Sequence, residues 1–176
     1  MLSIRLATID DANLIASLSQ QTFFETFAEA NTPENMEKFL AEQFTKGKLM
    51  LEVGRPENIF MLAYYGSEPA GYLKLREGVR PAGLEDVPCI EIARLYVVKQ
   101  MLQKGIGKVL MQNAVDIAIE LKKRILWLGV WENNKRAIDF YTRWGFKKFG
   151  EADFLLGDDV QNDWMMKKEL PDDLFK

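Results

Sequence analysis

The 176-residue chain contains no histidine and a single cysteine, Cys89. Without an imidazole, the histidine-based triads of nucleophilic hydrolases are excluded. One thiol cannot close an intrachain disulfide, so nothing points to an oxidising compartment. The clustered Cys and His ligands of structural zinc are missing as well, and no metal is expected. There is no apolar run long enough to span a bilayer. The opening Met1-Leu2-Ser3-Ile4-Arg5 turns polar too soon for a secretory leader. These absences predict a soluble, cytoplasmic chain with no membrane partner. A strong charge of either sign is lacking too. The 23 basic and 26 acidic residues leave −3, which argues against nucleic acid, whose binding is dominated by phosphate neutralisation.

What is present suffices for one core, since 48% of the residues are hydrophobic in a length natural for a single domain. Residues 1–170 are expected to form that domain and 171–176, PDDLFK, a frayed tail. SIRLATI reads as a strand, followed by a helix whose capping box is Thr8 and Asp11. A second helix starts at Thr32-Pro33-Glu34, with a capping hydroxyl and a proline at the first position. IFMLAYYG and AGYLKLREG read as a hairpin, and CIEIARLYVV as the next strand. A helix from about 105 to 121, a strand at ILWLGVW, a helix from about 134 to 144 and two closing strands complete the pattern.

The stretch that carries chemistry is ARLYVVKQMLQKGIGKVLMQNAVDIAIELKK, a strand running through QKGIGK into an amphipathic helix. Gly105 and Gly107 remove side chains at the turn, leaving N–H groups open to an anion, and Lys104 and Lys108 add positive charge. This is a cradle for a diphosphate. A dinucleotide fingerprint would need glycine where Leu110 stands. A P-loop would need glycine at Leu102 and a hydroxyl at Val109. Both fail, and a bare G-x-G also fits a simple tight turn.

Downstream, ENNKRAIDFYTRWGF carries N-x-x-A-x-x-x-Y-x-x-x-G-F at Asn134, Ala137, Tyr141, Gly145 and Phe146. With QKGIGK about thirty residues upstream, the chain resembles the GNAT superfamily of acyl-CoA-dependent N-acetyltransferases over nearly its whole length. ETF at 25–27, PENM at 33–36, WLGVWE at 127–132 and GDDVQND at 157–163 make it most similar to the PaiA-like branch, associated with polyamine acetylation. The resemblance implies an α/β (α+β) fold, a mixed, mostly antiparallel seven-stranded sheet flanked by four helices in the order β-α-α-β-β-β-α-β-α-β-β. It also implies acetyl-CoA as cosubstrate. Gln103, Lys104, Gly105, Ile106, Gly107 and Lys108 would hold its diphosphate. The strand at Leu95, Tyr96 and Val97 would pair with the pantetheine arm, Asn134 would hold the arm near the thioester, and Tyr141 would give a proton to the departing thiolate. Two positions depart from the family pattern. Leu102 stands where Gln or Arg is usual, and Ala93 where PaiA relatives often carry an acid.

An acceptor amine of pKa about 10 must lose a proton before it attacks through a tetrahedral intermediate. With no histidine, the expected base is Glu91 on the cleft-lining strand, or the amine arrives already neutral. Phe23, Phe24 and Phe27 at helical spacing read first as core. The sharper reading puts Phe24, Glu25 and Phe27 in a substrate wall, with Trp131 as a facing ring and Asp159 as an anchor for a cation. A solvated turn is the plainer meaning of Asp158, Asp159 and Asp163. A small cationic amine such as a polyamine is the expected acceptor, acted on by a monomer or homodimer. A protein or peptide N-acetyltransferase, and a non-catalytic acyl-CoA-binding module, are the alternatives.

Overall fold

The computed structural model describes residues 1–175. β1 (Leu2–Leu6) leads into α1 (Ala12–Phe27), α2 (Pro33–Gln43) and α3 (Lys46–Val53). Then come β2 (Asn58–Tyr65), β3 (Glu68–Arg76), β4 (Cys89–Val97), α4 (Ile106–Glu120), β5 (Ile125–Trp131), α5 (Lys135–Arg143), β6 (Lys147–Leu156) and β7 (Asp159–Glu169). The expected helix count of four is corrected to five. The extra helix, α3, begins Lys-Gly-Lys and buries only Leu49, so its apolar periodicity is weak. Its one local signal is the Thr45 hydroxyl, which accepts from the Lys48 N–H at 3.3 Å.

The seven strands lie in the order β1-β2-β3-β4-β5-β7-β6, antiparallel except where β4 meets β5. That parallel pair covers only Cys89 to Glu91 against Ile125 to Trp127. Just beyond it, β4 bulges. Lys74 faces Arg94 while Leu75 faces Ile92, so Ala93 has no partner on β3. A bulge bends and twists its strand, and past this point β4 and β5 part. The V between them is the central feature of the molecule.

Each face of the sheet is covered. On one, Ile106, Leu110 and Met111 of α4 pack on Leu73, Ile90 and Leu126, and α5 adds Tyr141. Burial of such aliphatic side chains contributes roughly 1.5–3 kcal/mol each. On the other, α1, α2 and α3 bring Ile15, Phe23, Phe39 and Leu49 onto Phe60, Leu62 and Tyr72. The β6–β7 turn docks against the start of α2. Gly157, at φ +63°, lies so close to Asn35 that a Cβ would fall 2.7 Å from the Asn35 Cα. The Asp158 N–H donates to Asn35 Oδ1 at 3.0 Å, and Lys38 pairs with Asp158.

Asp172–Phe175 forms a short 3-10 turn, Asp172 pairs with Arg124, and the Arg124 guanidinium lies 4.2 Å from the Phe175 ring centroid. Lys176 lies outside the described residues.

Candidate active site

The parting of β4 and β5 opens a cleft of about 1020 Å³. One end is the turn between β4 and α4. Gln103 and Gly105 there adopt left-handed backbone, at φ +65° and +79°. Gly105 caps α4, and a Cβ on it would meet nothing within 4 Å, so conformation and not crowding requires glycine. The first helical hydrogen bond is that of the Val109 N–H to the Gly105 carbonyl, 3.1 Å. The N–H groups ahead of it have no helical acceptor, which is the condition for holding an anion at a helix start. Gln103, Gly105, Ile106, Gly107 and Lys108 line this end, as do Lys99, Arg136 and Arg143.

One correction applies here. The Lys104 side chain does not line the cleft, because its ammonium sits 4.7 Å from the centroid of the Tyr65 ring. Gly107 lines the cleft within the first turn of α4, and a Cβ there would meet the Phe140 ring at an ordinary contact distance of 3.7 Å, so space does not require glycine at this position. Farther in, Leu95, Tyr96 and Val97 line the cleft along the edge of β4 that β5 leaves bare. Asn134 also lines it. It caps α5 with its side-chain oxygen accepting from the Ala137 N–H at 3.3 Å, which leaves its amide N–H groups as the donors still available.

At the other end stand aromatic rings. Phe27 and Trp131 lie 5.7 Å apart, and Phe39 and Phe154 5.6 Å, all facing the cleft. Glu25 lines the cleft too, but its carboxylate accepts from the Lys99 N–H at 2.8 Å and so ties α1 to the turn after β4. The expectations for Phe24 and Asp159 are corrected. Phe24 is 54% exposed on the outer face of α1, where helical periodicity carries it away from its neighbours Phe23 and Phe27. Asp159 is exposed outside the cleft, where it accepts from the Gln161 side chain. Glu91 lies in the cleft but is paired with Arg76, whose Nε and Nη2 donate to it at 2.7 and 2.6 Å. Taking up a proton there would break a charged pair, which speaks against Glu91 as the base. Behind it Glu52 receives Arg94 at 2.8 and 3.1 Å and the buried Lys74 at 3.0 Å.

Two groups in the cleft carry no such partner. Tyr141 on α5 is buried against Phe140 and Phe146, and burial alone pushes its hydroxyl above the usual tyrosine range. It therefore stays protonated at any neutral pH. Asp163 on β7 lies opposite Trp131, and burial raises its carboxyl to about 6. Its carboxylate lies over Gly129, where a Cβ would come 3.3 Å from Oδ2. Sequence reasoning placed Asp163 only in an acidic run; the glycine two positions before Trp131 was the one local hint.

A sheet opened between two strands, a turn with bare helix-start N–H groups at one end of the cleft, and a protonated tyrosine and an unpaired aspartate lining it are the features of a transferase of activated groups. The chain belongs to the GNAT family of acetyltransferases, whose model matches residues 15–146. It is 38% identical over 97% of its length to an uncharacterized N-acetyltransferase in the pepI 3′ region of Lactobacillus delbrueckii subsp. lactis, covering 99% of that protein. It is 28% identical to the spermidine N(1)-acetyltransferase of Thermoplasma acidophilum, over 83% of this chain and 88% of that one. Its fold matches the PaiA N-acetyltransferase of Thermoplasma acidophilum, solved in complex with coenzyme A, with a TM-score of 0.79, 24% identity and coverage of 97% and 99%. These neighbours support the PaiA-like branch. The protein is thus an acyl-CoA-dependent N-acetyltransferase, and the cleft's residues fit that cosubstrate: bare helix-start donors, flanking cations and an open strand edge. Among the described residues no group of three or more His, Cys, Asp or Glu could hold a metal ion, and no helix is long and apolar enough to cross a membrane.

Proposed function

We propose that the protein acetylates a small, slender polyamine or similar cationic amine. The observation that carries this reading is the wall of Phe27, Phe39, Trp131 and Phe154 beside the unpaired Asp163 carboxylate. Aromatic faces and a carboxylate attract ammonium groups. Acetyl-CoA supplies the activated acetyl group, with residues 103 and 105–108 and the β4 edge as its holders and Asn134 as a donor beside the arm. Tyr141 keeps a proton for the leaving sulfur. A lone, buried thiol at Cys89 and the need for acetyl-CoA suit a cytoplasmic setting. All the groups named come from one chain, so a monomer or a homodimer can carry the site.

A second reading has its own observation. Lys74, Arg76 and Arg94 outnumber Glu52 and Glu91 by three to two beneath the cleft, which favours an acceptor bearing a carboxylate, such as a peptide. An acceptor panel decides between them. With acetyl-CoA and thiol release as readout, spermidine and spermine should exceed amino acids and peptides at least about tenfold in kcat/KM. Preference for peptides overturns the polyamine reading. Tyr141→Phe should lower kcat about 100-fold, within the range for one general acid, while calorimetry finds acetyl-CoA affinity little changed. Unchanged turnover would remove Tyr141 from the chemistry.

A further inference from the structure

We infer that Asp163 is the general base of this enzyme, taking the proton from the acceptor ammonium before attack. The inference rests on the acetyltransferase reading above and names the group that reading leaves open.

Four carboxylates face the cleft: Glu25, Glu91, Asp153 and Asp163. Glu25 is spent on the Lys99 and Gln21 side of α1, and Glu91 on Arg76. Asp153 is exposed on the edge strand β6, opposite Asn162. Asp163 alone is partly buried without a cationic partner among the described residues. Its place is also the right one. Cross-strand pairing sets it on the same face as Trp131, and that ring packs on Phe27 of the aromatic wall. Its Oδ2 hangs over Gly129, two residues past the point where β5 leaves β4. A Cβ at 129 would crowd Oδ2 at 3.3 Å and push the carboxylate by a few tenths of an ångström, which gives glycine in the middle of an otherwise apolar strand a reason. Burial adds the needed tuning, since a carboxyl raised to about 6 is ionised at neutral pH yet more basic than an ordinary aspartate.

The titratable groups around it are few. Tyr96 on β4 lies near enough to feel its charge, Tyr141 on α5 lines the same cleft, and both stay protonated through the neutral range. Glu132, after β5, is held by the Asn162 amide, and on β6 Glu151 pairs with Lys148 while Asp153 is exposed. None of these is a cation placed to pin Asp163.

The proton and bond count closes. The ammonium gives one proton to Asp163, the free amine forms the new C–N bond at the thioester carbonyl, and the C–S bond breaks. Tyr141 protonates the departing sulfur and is reprotonated with the proton the nitrogen sheds after attack. Asp163 returns its proton to solvent. The net products are the amide, the thiol and one released proton.

The test uses the full-length enzyme, Asp163→Asn and Asp163→Glu, with acetyl-CoA and three amines. Spermidine and ethylamine arrive as ammonium. Trifluoroethylamine, with its electron-withdrawing fluorines, is largely neutral at neutral pH. Asp163→Asn should lose about 100-fold in kcat/KM for the first two but less than about fivefold for the third, with acetyl-CoA affinity unchanged. Asp163→Glu should recover part of the loss. In the wild type, kcat/KM for spermidine should rise along a limb centred near pH 6, and the Asn variant should lack that limb. An equal loss with all three amines, or a wild-type profile without the limb, overturns the assignment. Should the wild type bind acetyl-CoA yet acetylate no amine, the functional reading fails first and takes the base with it.

Discussion

At the residue scale, Asp163 and Tyr141 show how differently two catalytic candidates announce themselves. Tyr141 was legible because it sits in a spaced motif on one helix, where neighbours in sequence are neighbours in space. Asp163 was not, because its role depends on β7 pairing with β5 and on the missing side chain at Gly129. Phe24 failed for the converse reason. One position of offset on α1 moves a ring from the cleft to solvent. The burial that tunes Asp163 also has a cost. Its folded pKa of about 6 lies above the unfolded value of 3.8, so any stability linked to it is present below pH 3.8 and lost as pH rises through 6. Asp163→Asn should therefore stabilise the fold above pH 6, by on the order of 1 kcal/mol because solvent screens the half-exposed carboxylate, and raise Tm by a few degrees. At pH 4 the two proteins should melt nearly together. A thermal unfolding series across pH checks this, and equal offsets at both ends would contradict the linkage.

At the element scale, the strands, α1, α2, α4 and α5 followed from apolar periodicity and caps. Missing were α3, whose single buried residue leaves no period to find, and the parting of β4 from β5. The latter comes from a bulge at Ala93, a register event that no pattern within β4 alone reveals. The two glycines of the turn into α4 also look equivalent in sequence and are not. Gly105 holds φ +79° in open space, whereas Gly107 is helical and faces Phe140 at ordinary contact distance. Gly105→Ala should lose about 1–2 kcal/mol through left-handed strain and weaken acetyl-CoA binding. Gly107→Ala should leave both within about 0.5 kcal/mol of wild type, or gain slightly through helix propensity. Denaturant unfolding and calorimetric titration of the pair measure the contrast.

At the scale of the whole molecule, three residue pairs between β4 and β5, together with α4, hold two halves of a sheet that would otherwise come apart. A cosubstrate bound in the V touches both halves. Ligand at 100 times its Kd stabilises a fold by about 2.7 kcal/mol, so acetyl-CoA should raise Tm by roughly 5–10 °C. Amide exchange should slow in 92–97 and 128–131, and protection confined to the outer strands would contradict the placement. The bolt between Gly157 and Asn35 has a consequence of another kind. It pins the β6–β7 tip to α2, and with it Phe154 to Phe39, so the aromatic end of the cleft has a fixed lintel. Under the proposed polyamine reading, this joint would limit acceptor girth without touching a reacting atom, and an engineer wishing to widen the enzyme's diet would begin by loosening that corner.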